Sequence, residues 1–179
     1  MPFYLSDYFL GARTLYKELV EIFSVPAERG YLNLELAGND YRPAVDFLNE
    51  FGFPFVIAEG EDVDFEAYVW TLEHISPAEG VNYEVEPIEY LDRGMSALEH
   101  QTIRILHGFW VKPQHLELML SAESIQIEDS SFTGADINEF LHRLKGGSNP
   151  NLKEAQMLLC ETYDEEEALD GRTTRCNQI

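Results

Sequence analysis

Short runs of alternating or β-branched residues return along the chain at YLNLEL (31–36), PFVIAEG (54–60), GVNYEVE (80–86), QTIRILHG (101–108), SIQIEDS (124–130) and, more weakly, NLKEAQMLL (151–159). Period-two alternation puts apolar side chains on one face of a strand and polar ones on the other, so each run predicts a half-buried strand. Their starts lie about 20–27 residues apart, the spacing of a strand-plus-helix repeat of the leucine-rich type.

Segments of helical spacing fill the gaps. RPAVDFLNEF (42–51) brings Val45, Phe47 and Leu48 near one face after Pro43, and proline fits a first helical turn because the amide it lacks would go unpaired there. DFEAYVWTLEHI (64–75) places Phe65, Tyr68, Val69 and Leu72 at i, i+3, i+4 and i+7. That stripe predicts core packing rather than ligand stacking by Tyr68 or Trp70. In SIQIEDSSFTGADINEFLHRLKGGSNPNL (124–152), Ile125 and Ile127 alternate on a strand and Thr133 with Asp136 forms a capping-box pair. Ile137, Phe140, Leu141 and Leu144 then mark one helix face, Lys145 meets the negative end of the helix dipole, and Gly146-Gly147 stops the helix before Pro150. YFLGARTLYKELVEIF (8–23) sets Leu15, Leu19, Ile22 and Phe23 on one side of a helix, which over about residues 14–24 caps the open end of an array.

Alternating strands and helices with short connections imply parallel strands and right-handed crossovers. The expected architecture is therefore α/β: a leucine-rich-repeat-like array with a curved parallel sheet and helices on the outer face, one domain over 1–171 followed by a flexible tail at 172–179. The strand face opposite the helices stays open. Asn33, Glu35, Glu84, Glu86, Arg104, Gln126 and Glu128 fall on it by alternation, a polar and largely acidic set, and Glu35, Glu84, Glu86, Arg104, Gln126 and Glu128 are the candidate partner-binding residues.

Charge sharpens what such a face would hold. Twelve Lys+Arg against 33 Asp+Glu give a net charge of −21, which repels phosphate backbones and anionic lipid surfaces. Nucleic acid and membrane are not expected partners; a protein with a basic surface is. Only two cysteines occur, Cys160 and Cys176, with no secretory apolar run at the start, so an intracellular setting, cytoplasmic or nuclear, is expected.

Catalytic and metal motifs are not found. His74, His100, His107, His115 and His142 form no HExxH or HxH pattern and read as scattered residues of surface helices and turns, so no metal or cofactor is expected. EGEDVDFE (59–66) lacks the spacing of a calcium loop and reads as a solvated turn with Asp64 at a helix start. Gly146-Gly147 follows a helix rather than preceding one, the wrong end for a phosphate. Carboxylates are too abundant for any one pair to signal acid–base chemistry, and a non-enzymatic protein is expected.

SSFTGADINEFLHRLKGGSNPNLKEAQM (130–157) resembles the nematode-type F-box associated domain, type 2, with its T-x-x-D-[IL]-N-x-F-L-K-x-W-x-x-G-S-N-P-x-L stretch. Thr133, Asp136, Ile137, Asn138, Phe140, Leu141, Gly147, Ser148, Asn149, Pro150 and Leu152 match it, while His142 stands for the usual Lys and Leu144 for the usual Trp. Over about 14–171 the chain shares the family's rhythm more loosely. The resemblance implies a substrate-binding module of an SCF-type ubiquitin-ligase adaptor, with a Skp-type adaptor as partner only where an F-box lies upstream. No F-box helix start is visible in the first forty residues. The alternative expectation is a stand-alone acidic inhibitor or immunity-type protein covering a basic surface.

Overall fold

The computed structural model describes residues 5–159 apart from 24–26, 39–40, 78, 90–94, 120 and 148. The expected tail at 172–179, the boundary at 171 and both cysteines lie outside the described residues. In chain order the elements are α1 (Leu5–Phe23), β1 (Arg29–Asn33), α2 (Leu34–Ala37), α3 (Tyr41–Phe51), β2 (Phe55–Val63), α4 (Phe65–His74), β3 (Gly80–Pro87), β4 (Thr102–Ile105), a 3-10 turn (Gly108–Trp110), α5 (Pro113–Glu117), β5 (Ser124–Ser130), α6 (Gly134–Lys145) and β6 (Glu154–Leu159).

The strands form one six-stranded sheet in the order β1-β2-β3-β4-β5-β6, every pair parallel. Strand order equals chain order, so each crossover steps one place in the same direction. Right-handed crossovers then put all connecting segments on one face of a curved, unclosed sheet.

Two rows of apolar side chains face those segments. Val56, Val81, Ile103 and Ile125 stand in register in one row, and Ala58, Tyr83, Ile105 and Ile127 in the next. None is more than 1% exposed. Burying each larger side chain contributes about 1.5–3 kcal/mol, so this layer is the main driving force of the fold. Helix α4 lays Tyr68, Val69 and Leu72 on it, all fully buried, as the stripe predicts. Trp110 meets Tyr68 and Phe65 edge-on at 5.6 and 5.8 Å. The 3-10 turn thus supplies, between β4 and β5, the bulk that a helix supplies elsewhere. It reaches that depth because Gly108 carries no Cβ; one there would overlap Ile127 and the Glu128 carbonyl.

All six expected strands are present, with three local differences. Strand β1 ends at Asn33 because the Asn33 side chain caps α2, accepting from the Leu36 amide at 2.8 Å. Glu35, expected on the strand face, therefore sits in a single helical turn, exposed. Residues 59–63 are not a solvated turn but the end of β2, where the register against β3 shifts between Gly60 and Val63 and Asp62 takes φ +51°. The same device recurs at the end of β5, with Asp129 at φ +52° and a shift between Ile127 and Ser130. Aspartate tolerates that left-handed region better than most residues, and an extra residue there bends the strand end. Between β3 and β4 no helix occurs among the described residues.

Helix ends follow the sequence closely. Asp64 caps α4, accepting from the amides of Glu66 and Ala67 at 2.9 and 3.1 Å. The Thr133–Asp136 capping box is closed in both directions: the Thr133 amide donates to Asp136 Oδ2 at 2.9 Å and the Asp136 amide to Thr133 Oγ1 at 3.2 Å. Past α6, Gly147 takes φ +83°. Asn149 is then buried, its Nδ2 donating to the Ala122 carbonyl at 3.1 Å and its Oδ1 accepting from the amides of Asn151 and Leu152 at 3.0 and 3.1 Å. It ties the turn entering β6 to the turn entering β5.

Asn149→Ala removes all three bonds and leaves the buried Ala122 carbonyl without its side-chain donor, a loss of about 1–3 kcal/mol. Asn149→Asp keeps the acceptor, loses the donor and buries a charge. Urea denaturation of both variants is expected to show a lowered midpoint with an unchanged slope; an unchanged midpoint for the alanine variant contradicts the clamp.

Candidate functional site

The face opposite the helices carries every second strand residue. Its central row runs Tyr31, Ile57, Asn82, Arg104, Gln126 and Gln156, one residue from each strand in register. Toward the strand C-termini, Asn33, Glu59 and Glu84 form the next row, with Glu86 beyond Glu84 on β3 and Glu128 beyond Gln126 on β5. Glu84, Glu86, Arg104, Gln126 and Glu128 thus share one face, as alternation expects. Glu35 leaves it for α2. Tyr31, Ile57, Glu59, Asn82 and Gln156 belong to the face as well; each lies an even number of residues from a position already read on its own strand or from a registered neighbour.

The side chains on this face bond mainly to one another. Glu128 Oε1 accepts from Arg104 Nη2 at 2.7 Å, from Arg104 Nε at 3.2 Å and from Gln126 Nε2 at 2.9 Å. Arg104 and Glu128 are partly exposed, so the pair adds about 0–1 kcal/mol and chiefly fixes the two orientations. Asn82 Nδ2 donates to Glu84 Oε1 at 2.6 Å, and Asn33 Nδ2 donates to Glu59 Oε1 at 3.3 Å. Amide donors therefore hold Glu59 on β2 and Glu84 on β3, while guanidinium and the Gln126 amide hold Glu128 on β5. Net negative charge consequently gathers toward β2 and β3, where Glu59, Glu84 and Glu86 meet no cation in these bonds.

The face is apolar at its other corner. Tyr31 is 64% exposed, and Phe55 and Ile57 are half-buried beside it. Gly80 keeps this part flat: a Cβ there would stand 2.8 Å from the Phe55 ring and 2.7 Å from Thr102 Cβ. An apolar corner beside a row of amide and carboxylate groups suits contact with a polypeptide better than capture of a small molecule.

The histidines are not all surface residues. His74 stacks on Trp70 at 4.0 Å, and His107 lies 3.6 Å from Asp129. His115 is buried, its Nδ1 accepting from the Lys112 amide at 3.1 Å. His100 is buried just before β4, on the side of α4, lining a cavity of about 290 Å³ with Leu72, Glu73, Ile75, Ser76 and Leu98. Desolvation lowers its pKa, against a smaller upward pull from the Leu72 backbone. Among the described residues, no group of three His, Cys, Asp or Glu side chains is placed to hold a metal. No helix of the described residues is long and apolar enough to cross a membrane.

The sheet is thus curved and parallel, with its apolar layer under the connecting segments and the polar row on the opposite face. Residues 93–157 match the model of the F-box associated family, a stretch holding β4, α5, β5, α6 and β6 through Met157. Over this segment the chain carries the family resemblance read from the 131–152 stretch. Arg104, Gln126 and Glu128 lie inside it; Glu35, Glu84 and Glu86 lie outside. No curated protein and no solved structure matches the chain.

His100 gives this region a pH dependence. Its folded-state pKa lies below the ordinary 6.5, so the unfolded chain takes up the proton first as pH falls, and the stability present above pH 6.5 declines through the folded-state pKa. The stability difference between wild type and His100→Phe is expected to shift against wild type on acidification below pH 6.5, measured by denaturation across that range. A pH-independent difference contradicts the desolvated imidazole.

Proposed function

We propose that the chain is a protein-binding module of the F-box associated type whose open sheet face receives its partner, and that its role is target recognition for an SCF-type ubiquitin-ligase adaptor. The family match over 93–157 carries this reading, because it coincides with the strands that present Arg104, Gln126 and Glu128 on the uncovered face. Glu84 and Glu86 extend the face toward negative charge, and a partner with a basic surface complements them. In this reading the chain performs no catalysis: it positions a protein, and the chemistry belongs to the ligase.

The charge of −21 favours a second reading, a stand-alone acidic inhibitor of a basic partner. The two differ in what accompanies the partner: a recognition module brings ligase components with it, and an inhibitor does not.

Glu84→Lys with Glu86→Lys tests the face. Affinity capture from cell extract, compared with wild type by quantitative mass spectrometry, is expected to lose its specific partner by tenfold or more, which corresponds to about 1.4 kcal/mol. Glu84→Lys takes the acceptor from buried Asn82 and is expected to lower stability by about 1–3 kcal/mol, while Glu86→Lys alone is expected to leave the melting temperature nearly constant. Undiminished capture counts against this face as the binding surface.

A further inference from the structure

Helix α1 presents two different faces. One packs on α3: the Tyr16 ring meets Phe51 at 4.5 Å and Phe47 at 6.4 Å, while Arg13 Nε and Lys17 Nζ reach the two Glu50 carboxylate oxygens at 2.7 and 3.2 Å. Roughly 140° round the helix from the centre of that face, Leu15, Leu19 and Ile22 are 57%, 42% and 70% exposed. They follow one another by four and then three residues, so they line up as a single stripe, and half-buried Ala12 continues it one step toward the N-terminus. This is the spacing of a coiled-coil seam. The helix packs on α3 through Tyr16, Arg13 and Lys17, and the stripe is not part of that contact.

We propose that the Leu15–Leu19–Ile22 stripe docks a partner α-helix whose apolar seam is flanked by lysine or arginine. A straight stripe on a helix of roughly 28 Å fits another helix, whose side chains interdigitate with it at the same spacing. Charge selects the flanks. Glu18 stands exposed directly beside the stripe on its solvent flank, and exposed Glu21 lies one step further round, next to Lys17, which like Arg13 already pairs with Glu50. A second copy of the chain is the wrong occupant: it would oppose Glu18 and Glu21 to their own copies and bring −21 against −21. This site is separate from the open sheet face and does not rest on the function assigned to it.

The probe is a synthetic helical peptide of about three heptads with leucine at a and d and lysine at e and g, compared with the same peptide carrying glutamate at e and g. Fluorescence anisotropy with the full chain is expected to show binding of the lysine peptide and not of the glutamate peptide. Leu15→Gln with Ile22→Gln keeps the net charge and good helix formers, and is expected to weaken binding by about tenfold or more. Glu84→Lys with Glu86→Lys, on the sheet face, is expected to leave it within about twofold. Glu18→Lys with Glu21→Lys is expected to turn the preference toward the glutamate peptide. Helix content by circular dichroism confirms that α1 persists in each variant. Equal binding to wild type and the glutamine variant overturns the proposal, as does binding of neither peptide to wild type. A wild-type dimer that the glutamine variant dissolves assigns the stripe to a second copy and overturns it too.

Discussion

Everything in this molecule depends on the parallel register of its strands. A parallel neighbour is reached only by crossing over the sheet, and a chain that always crosses with the same hand in strand order piles its connections on one side. The fold therefore spends its hydrophobic side chains on a single layer, with Val81, Ile103 and Ile125 and then Tyr83, Ile105 and Ile127 stacked strand to strand. The opposite face is left to polar groups by the geometry of the backbone. Its position as a candidate site is a consequence of how the core is built.

The repeating pattern was legible because the layer it builds is regular. Each central strand shows the alternation that one buried face requires, and the helix signals at Asp64 and at Thr133–Asp136 are local hydrogen-bond devices that work the same way in any tertiary setting. What escaped the pattern was decided by competition at element ends. Asn33 looked like one more outward strand residue, yet its side chain accepts from the Leu36 amide and turns the chain into α2, carrying Glu35 with it. In β2 a run of acidic residues resembled a loop, but the extra residue is absorbed by a bulge at Asp62 that lets the strand continue. Trp110 gave no periodic signal at all, since a three-residue 3-10 turn is too short to have a period.

The candidate face was legible in parity but not in extent. Glu84, Glu86, Arg104, Gln126 and Glu128 could be placed together from alternation alone, because a one-residue slip would have buried charges against the isoleucine layer. Which of them touch could not be read, as register across strands is set by crossover length and not by any one strand. The structure brings Arg104, Gln126 and Glu128 into one hydrogen-bonded group and leaves Glu84 to Asn82. Buried His100 and His115 escaped for a related reason: histidine is polar enough to pass as a surface residue, and the residues they meet, Leu72 and Trp110, give no local sign of the contact.

The central row of that face takes one side chain from each strand: Tyr31, Ile57, Asn82, Arg104, Gln126 and Gln156. Each of these letters is written in a different repeat, over a backbone that its neighbours hold in place. Evolution can thus respell the row one letter at a time, and a change in one strand leaves the apolar layer beneath the others untouched. A face built in this way separates the residues that make the scaffold from the residues that the scaffold displays, so the displayed set can change while the architecture stays the same.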